Sequence, residues 1–218
     1  MTATAREVFG IFPIRQVSRG PHEGVVVALA AVAALFLGSS AEAHMGTGLP
    51  GGFASGFKHP LTGLDHVLAM VSVGLWGAFL GRPLIYALPV IFPAMMVGGA
   101  VLGMLNIPLP PVEIGIALSV LVLGGCIALS VKAPVWAASL IVAMFAVFHG
   151  YAHGKELPSA ADPIGYSVGF VSATGLLHVL GICVGFLNAR PGGVIATRSI
   201  GGIIGGIGVW YLYKATGH

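Results

Sequence analysis

Six apolar runs, each close to the roughly 20 residues that cross a hydrocarbon core as a helix, leave this sequence few folds to choose from. They fall at about 62–81, 84–105, 112–131, 134–153, 164–187 and 192–213. Turn chemistry separates them: "GRP" at 81–83, "NIPLPP" at 106–111, "KAP" at 132–134, "KELPSAADP" at 155–163 and "NARPGG" at 188–193. Proline stops a helix by removing a donor and crowding the preceding turn. The breaks are short, so consecutive helices should run antiparallel. Charged residues make up only 8% of the 218-residue chain and hydrophobic ones 56%. A soluble domain carries about 25% charged residues, so this chain cannot cover a water-facing surface. The expected fold is all-α, a polytopic membrane helix bundle of about six transmembrane helices. The 34 glycines suit it, because glycine lets membrane helices approach closely. Basic residues are scattered singly, with no patch to bind nucleic acid, and the expected surroundings are the lipid bilayer. No G-x-x-x-x-G-K-[ST] phosphate loop occurs, so the chain does not bind ATP in that way.

The first 43 residues read as a cleavable signal peptide. Arg6, Arg15 and Arg19 precede "VVVALAAVAALFLG" and then "SSAEA", the order of a basic region, an apolar core and a small-residue cleavage site. Cleavage after Ala43 divides the chain into a signal, 1–43, and a six-helix transmembrane domain, 44–218. An uncleaved anchor is the alternative. Cleavage would leave His44 as the new N-terminus, where its amine and imidazole can chelate a metal together. With that end outside, the inner loops hold Arg82, Lys132, Arg190 and Arg198, which agrees with the excess of basic residues on the cytoplasmic side.

The polar residues are concentrated where they are most expensive. An ionisable group at the bilayer centre costs about 2.5–3.5 kcal/mol on insertion scales, and such groups normally face the bundle interior and have a use. The first run opens with "HPLTGLDH", and Pro60 suits a first helical turn. A helix starting near His59 would carry Asp65 and His66 one to two turns in. His66 shares a face with Met70, a weaker candidate because methionine is more often core filler. In "FHGYAHGKE", residues 148–156, His149 and His153 are four apart and Glu156 three further on. If the helix continues to Glu156, all three share one stripe. Neutral imidazole and carboxylate on one stripe make a cation site for first-row transition ions. Topology brings these groups to one depth, so the first and fourth runs would build the site together. Glu113, after Pro110–Pro111, is either a carboxylate favoured by a helix N-terminus or an acidic group at the outer mouth. His178 lies mid-helix in the fifth run, where it is either a hydrogen-bonded core histidine or a deeper ligand. Cys126 and Cys183 read as buried free thiols. "TGLDHVLAM" at 62–70 echoes "TGLLHVLGI" at 174–182, with Leu177 in place of the aspartate.

The stretches "HPLTGLDHVLAMVSVGLW", "LPVIFPAMMVGG", "VEIGIALSVLVLG", "FHGYAHGKELP" and "GFVSATGLLHVLGICVGF" together resemble the HupE/UreJ family of nickel/cobalt transporters. The resemblance implies a secondary metal permease of the bacterial inner membrane, not an enzyme. It implies no tightly bound cofactor, with Ni²⁺ or Co²⁺ as the transported substrate. The family's functional positions fall on His59, Asp65, His66, Phe92, Glu113, His149, His153 and Glu156. Two other classes fit part of the pattern. A membrane haem protein would explain paired histidines but not the carboxylates beside them. An intramembrane metal-dependent hydrolase would need an open coordination position and a general base, and no residue signals its substrate.

Overall fold

The computed structural model describes residues 52–156 and 162–217. Its elements there are helical: α1 Phe53–Thr62, α2 Leu64–Leu80, α3 Leu84–Met104, α4 Val112–Ala128, α5 Val135–Glu156, α6 Pro163–Gly185 and α7 Gly193–Ala215, with a short 3₁₀ turn, Phe186–Ala189, after α6. The signal-peptide reading and His44 lie outside the described residues.

All six apolar runs form helices, and α3, α5, α6 with its 3₁₀ turn, and α7 are each long and apolar enough to cross a membrane. The first run differs from expectation. It is α2, preceded by a further helix, α1, and the two meet at Gly63 with a bend of 86°. Pro60 sits inside α1 and not at the start of the spanning helix. Gly63 takes an extended conformation, φ −90 and ψ 112, and serves as N-cap of α2. Asp65 and His66 are therefore in the first turn of α2, not one to two turns in. The third run is also shorter than read, ending at Ala128. The chain turns there because Ser130 adopts a left-handed conformation, φ 55, and Val131 N–H reaches back to the Cys126 carbonyl. Asn106 does the same after α3, with Ile107 N–H on the Leu102 carbonyl. This is the closing pattern that satisfies orphan carbonyls at a helix end. At α6 the start is marked by Asp162, whose carboxylate accepts from Gly165 N–H at 2.9 Å, followed by Pro163 in the first turn.

Glycine sets how these helices pair. A Cβ on Gly99 would stand 2.2 Å from the Val147 carbonyl oxygen, and one on Gly150 would stand 2.0 Å from that of Met96. Backbone touches backbone along α3 and α5, with register rising together, so the two run parallel. Gly74 and Gly181 join α2 to α6 in the same parallel sense, while Gly124 and Gly208 join α4 to α7 antiparallel. These directions are those of successive antiparallel helices; among the described residues the bent pair α1–α2 adds a fifth candidate span to α3, α5, α6 and α7, while α4, at 17 residues, is shorter than a usual crossing. Lipid tails give no hydrophobic drive for helices to associate, so close packing of this kind carries much of the cohesion. Trp76 is fully buried, and its indole N–H donates to the Val131 carbonyl in the turn after α4 at 3.1 Å. Met70 belongs to the apolar core beside it. The two thiols are free, but neither is buried: Cys126 is half-buried and Cys183 exposed on the outer face of α6. Their runs are apolar on all sides, so position within a run did not distinguish core from lipid.

Two adjacent glycines of α3 give a matched test. Nothing lies within 4 Å of a Cβ on Gly98, whereas one on Gly99 meets backbone. Gly99→Ala is expected to cost about 1–3 kcal/mol through overpacking. Gly98→Ala should be neutral or stabilise by up to about 1 kcal/mol, since alanine is the better helix former. Thermal unfolding of the two variants in detergent checks the difference.

Candidate functional site

The bend at Gly63 builds the first part of the site. A side chain on Gly63 would crowd Asp65 Oδ1 at 2.9 Å and His66 Nδ1 at 3.0 Å, so the glycine leaves room for that pair to fold over the turn. Asp65 Oδ1 accepts from the backbone N–H of His66 at 2.9 Å and lies 2.9 Å from His66 Nδ1. With Asp65 ionised, Nδ1 carries the proton and Nε2 presents a lone pair. A carboxylate fixing a histidine tautomer in this way is the usual support for a ligating imidazole.

His66 Nε2 points across to α5, 2.7 Å from His153 Nε2. With His66 in that tautomer, the proton between the two nitrogens comes from His153. Around this pair the rings form a continuous row. His59 meets His153 at 4.8 Å between centroids, His153 meets His66 at 4.6 Å, and His66 meets His149 at 4.8 Å. Phe170 of α6 packs on His153 at 4.4 Å. His149 is fully buried and its Nε2 lies 2.9 Å from Ser119 Oγ of α4. The single hydroxyl proton of Ser119 goes to the Ile116 carbonyl at 2.6 Å, so its oxygen accepts from His149 Nε2–H. That fixes the other tautomer at His149, and its Nδ1 lone pair is buried without a hydrogen-bond partner. Beyond His149 the row continues through Phe92, at 5.6 Å, to His178, at 5.4 Å from Phe92.

Asp65 also faces a second space. A pocket of about 350 Å³ is lined by Asp65, Glu113, Ile116, Ala117, Tyr211, Lys214 and Ala215. It lies at the end of the bundle where α4 begins and α7 ends. Glu113 thus sits with Asp65 and Lys214, not with the imidazole row. Its neighbour Lys214 holds its ammonium over the Trp210 ring at 4.7 Å.

Of the residues expected from the sequence, the structure brings His59, Asp65, His66, His149 and His153 together, and places Glu113 across the pocket from Asp65. Helix α5 does run on to Glu156. Phe92 and His178 extend the row. Among the described residues no three histidine, cysteine, aspartate or glutamate side chains are already closed into one metal-ligand set. Sequence reasoning missed Ser119, Lys214 and Tyr211. Ser119 is a lone hydroxyl in an otherwise apolar stretch, "IALSVLV", and that isolation was the available signal. The α7 residues gave none, because a lysine and a tyrosine at a membrane helix end are ordinary anchors.

The class defined by this architecture is a multi-pass membrane protein with a buried row of imidazoles reached from a carboxylate-lined pocket. The chain belongs to the HupE/UreJ family: the family model described as "HupE / UreJ protein" matches residues 27–211. It is 45% identical over 173 residues to Protein HupE of Rhizobium leguminosarum bv. viciae, an overlap of 79% of this chain and 90% of that protein. No solved structure matches it.

Ser119→Ala removes the acceptor that fixes His149. The expected results are a loss of about 1–3 kcal/mol, the cost of a buried donor left unpaired, and a mixture of His149 tautomers. Thermal unfolding and ¹⁵N NMR of the imidazole read these two effects.

Proposed function

We propose that this protein is a secondary permease carrying a divalent transition metal ion, Ni²⁺ or Co²⁺, across the bacterial inner membrane, and that it is not an enzyme. Residues 44–218 form the permease, with the mature N-terminus in the periplasm. The observation that carries the reading is the direct facing of His66 Nε2 and His153 Nε2 at 2.7 Å, backed by Asp65 and set beside His149. Two nitrogens around one proton are a site where a proton and a metal ion compete.

The pocket at Glu113 and Asp65 is the outer mouth on this reading. Two carboxylates there attract a hydrated cation, and Asp65 passes it to His66. His59, His149, His153 and Glu156 then replace its water ligands. Metal–nitrogen bonds of about 2.0–2.1 Å at angles of 90–109° need the nitrogens roughly 2.9–3.4 Å apart. The His66 and His153 rings therefore part by a few tenths of an ångström as the ion enters and the shared proton leaves. His44 would add a ligand ahead of the mouth, and Phe92 lies on the path inward. Imidazole and carboxylate suit Ni²⁺, Co²⁺ or Zn²⁺ better than Cu⁺, which prefers sulfur.

Transport of this kind needs no nucleotide. A divalent ion crossing 100 mV gains about 4.6 kcal/mol, roughly a thousandfold in concentration. Because metal binding releases protons from its ligands, exchange against protons is the second route. The haem class gains no support, because imidazoles joined by a hydrogen bond through Nε2 leave no gap between them for a haem.

Uptake of radiolabelled Ni²⁺ and Co²⁺ in cells lacking their own importers tests the proposal. Asp65→Ala, His66→Ala and Glu156→Ala should each abolish uptake while the protein remains in the membrane. Normal uptake by all three variants would remove the site. The double variant Cys126→Ser, Cys183→Ser should keep uptake largely intact, since neither thiol touches the row.

A further inference from the structure

The geometry points to His178 as an inner receiving site for the transported divalent ion, on the far side of Phe92 from the His66–His149–His153 row. This rests on the transport reading above and extends it to a residue on α6.

His178 is 1% exposed, and neither of its ring nitrogens has a hydrogen-bond partner of normal geometry. Native structures rarely leave a buried polar group unpaired without a use for it. The nearest polar group is the Pro89 carbonyl of α3. That carbonyl lacks its helical donor, because the residue four further on is Pro93, which has no N–H. A carbonyl can satisfy only the N–H of a neutral imidazole. The other nitrogen then holds a lone pair in a dry interior with no donor, which is the state that accepts a metal ion. Thr174 lies one turn earlier on the same face of α6, with its hydroxyl also buried and unpartnered. It supplies a second ligand, a hydroxyl oxygen.

Phe92 makes this a separate stage. Its ring is fully buried, 5.6 Å from His149 on one side and 5.4 Å from His178 on the other, and stands at 86° to the His178 ring. The unpartnered Nδ1 of His149 is the last nitrogen before it. His178 stands opposite Gly74, ten residues into α2, well past the outer groups at the start of that helix. Rotation of the Phe92 ring would let an ion move from one imidazole to the other. Two weak sites in series favour release over one closed cage.

The test uses the full chain with Ni²⁺, Co²⁺ and Cd²⁺ as probes, and variants His178→Leu and His178→Cys at matched membrane abundance. In detergent, His178→Leu should bind Co²⁺ at the outer row within about twofold of wild type, while its uptake falls by at least tenfold, the scale of a lost metal-site group. His178→Cys should restore uptake and shift preference from Ni²⁺ toward Cd²⁺, because thiolate favours the softer ion; a purely structural role would not move that ratio. Uptake by His178→Leu within about twofold of wild type, or a parallel loss of its outer-row binding, overturns the proposal. If His178→Leu fails to accumulate, His178→Cys decides alone: a shifted Cd²⁺/Ni²⁺ ratio supports the inner site and an unshifted one overturns it. Wild-type protein that takes up neither Ni²⁺ nor Co²⁺ overturns the transport reading itself, whereas a transporting wild type with a transporting His178→Leu removes only the inner site.

Discussion

The backbone contact between α3 and α5 decides where the imidazoles point. Gly150 and Gly154 sit against the carbonyls of Met96 and Ala100, too close for any side chain. His149 and His153 each precede one of these glycines. One residue is about 100° of helical rotation, so docking the glycines on α3 turns both histidines toward α2 and away from lipid. The alternative rotation would expose the rings to hydrocarbon, where an ionisable group costs about 2.5–3.5 kcal/mol. The repeated His-Gly pair thus combines a packing element and a chemical one in four residues. Gly99 and Gly103 return the contact from α3, so the rotation is fixed from both sides.

The second constraint is the bend at Gly63. It converts what would be an interior carboxylate into one at a helix N-terminus, where the first-turn N–H groups and the dipole favour negative charge. Asp65 takes the His66 N–H directly. The same turn gives Asp65 two neighbours, the imidazole row and the pocket at Glu113. An intramembrane aspartate is therefore accommodated by local geometry and at the same time connects water-accessible space to the dry row. Lys214, in that pocket, offsets part of the two carboxylate charges.

Much of this was legible in the sequence because membrane helices announce themselves by length and apolarity, and because histidines four apart must share a face. The runs, their alternation and the convergence of His59, Asp65, His66, His149 and His153 all follow from those two periodicities. The bend at Gly63 did not follow. "FKHPLTG" offers a proline that suits either a first turn or a last one, and the close packing of Gly56 against the Tyr166 carbonyl, which spacing does not reveal, accompanies the extra helix. Ser119 was hidden for another reason. Inside a run that is apolar on every face, periodicity carries no direction, so nothing in spacing alone says which side chains meet across helices. The thiols illustrate the same loss, since Cys126 and Cys183 looked alike in sequence and differ in exposure.

The order of chemistry along the row bears on how an ion could leave. The pocket offers the carboxylates of Asp65 and Glu113, and the row behind it offers imidazole nitrogens in a largely buried interior. Attraction between unit charges at 4 Å is worth about 1 kcal/mol in water and about 4 kcal/mol at an effective dielectric of 20, so carboxylates capture best where they are partly shielded from solvent. The half-buried Asp65, 30% exposed, is such a group. Further inward, no acidic residue follows among the described parts of the row. A divalent ion there is held by ligation alone, and its charge is less compensated at each step. On the proposed transport reading, binding would weaken with depth while the membrane potential would drive the ion the same way. A series that captures with charge and conducts with neutral imidazole can both concentrate a cation at its mouth and let it go.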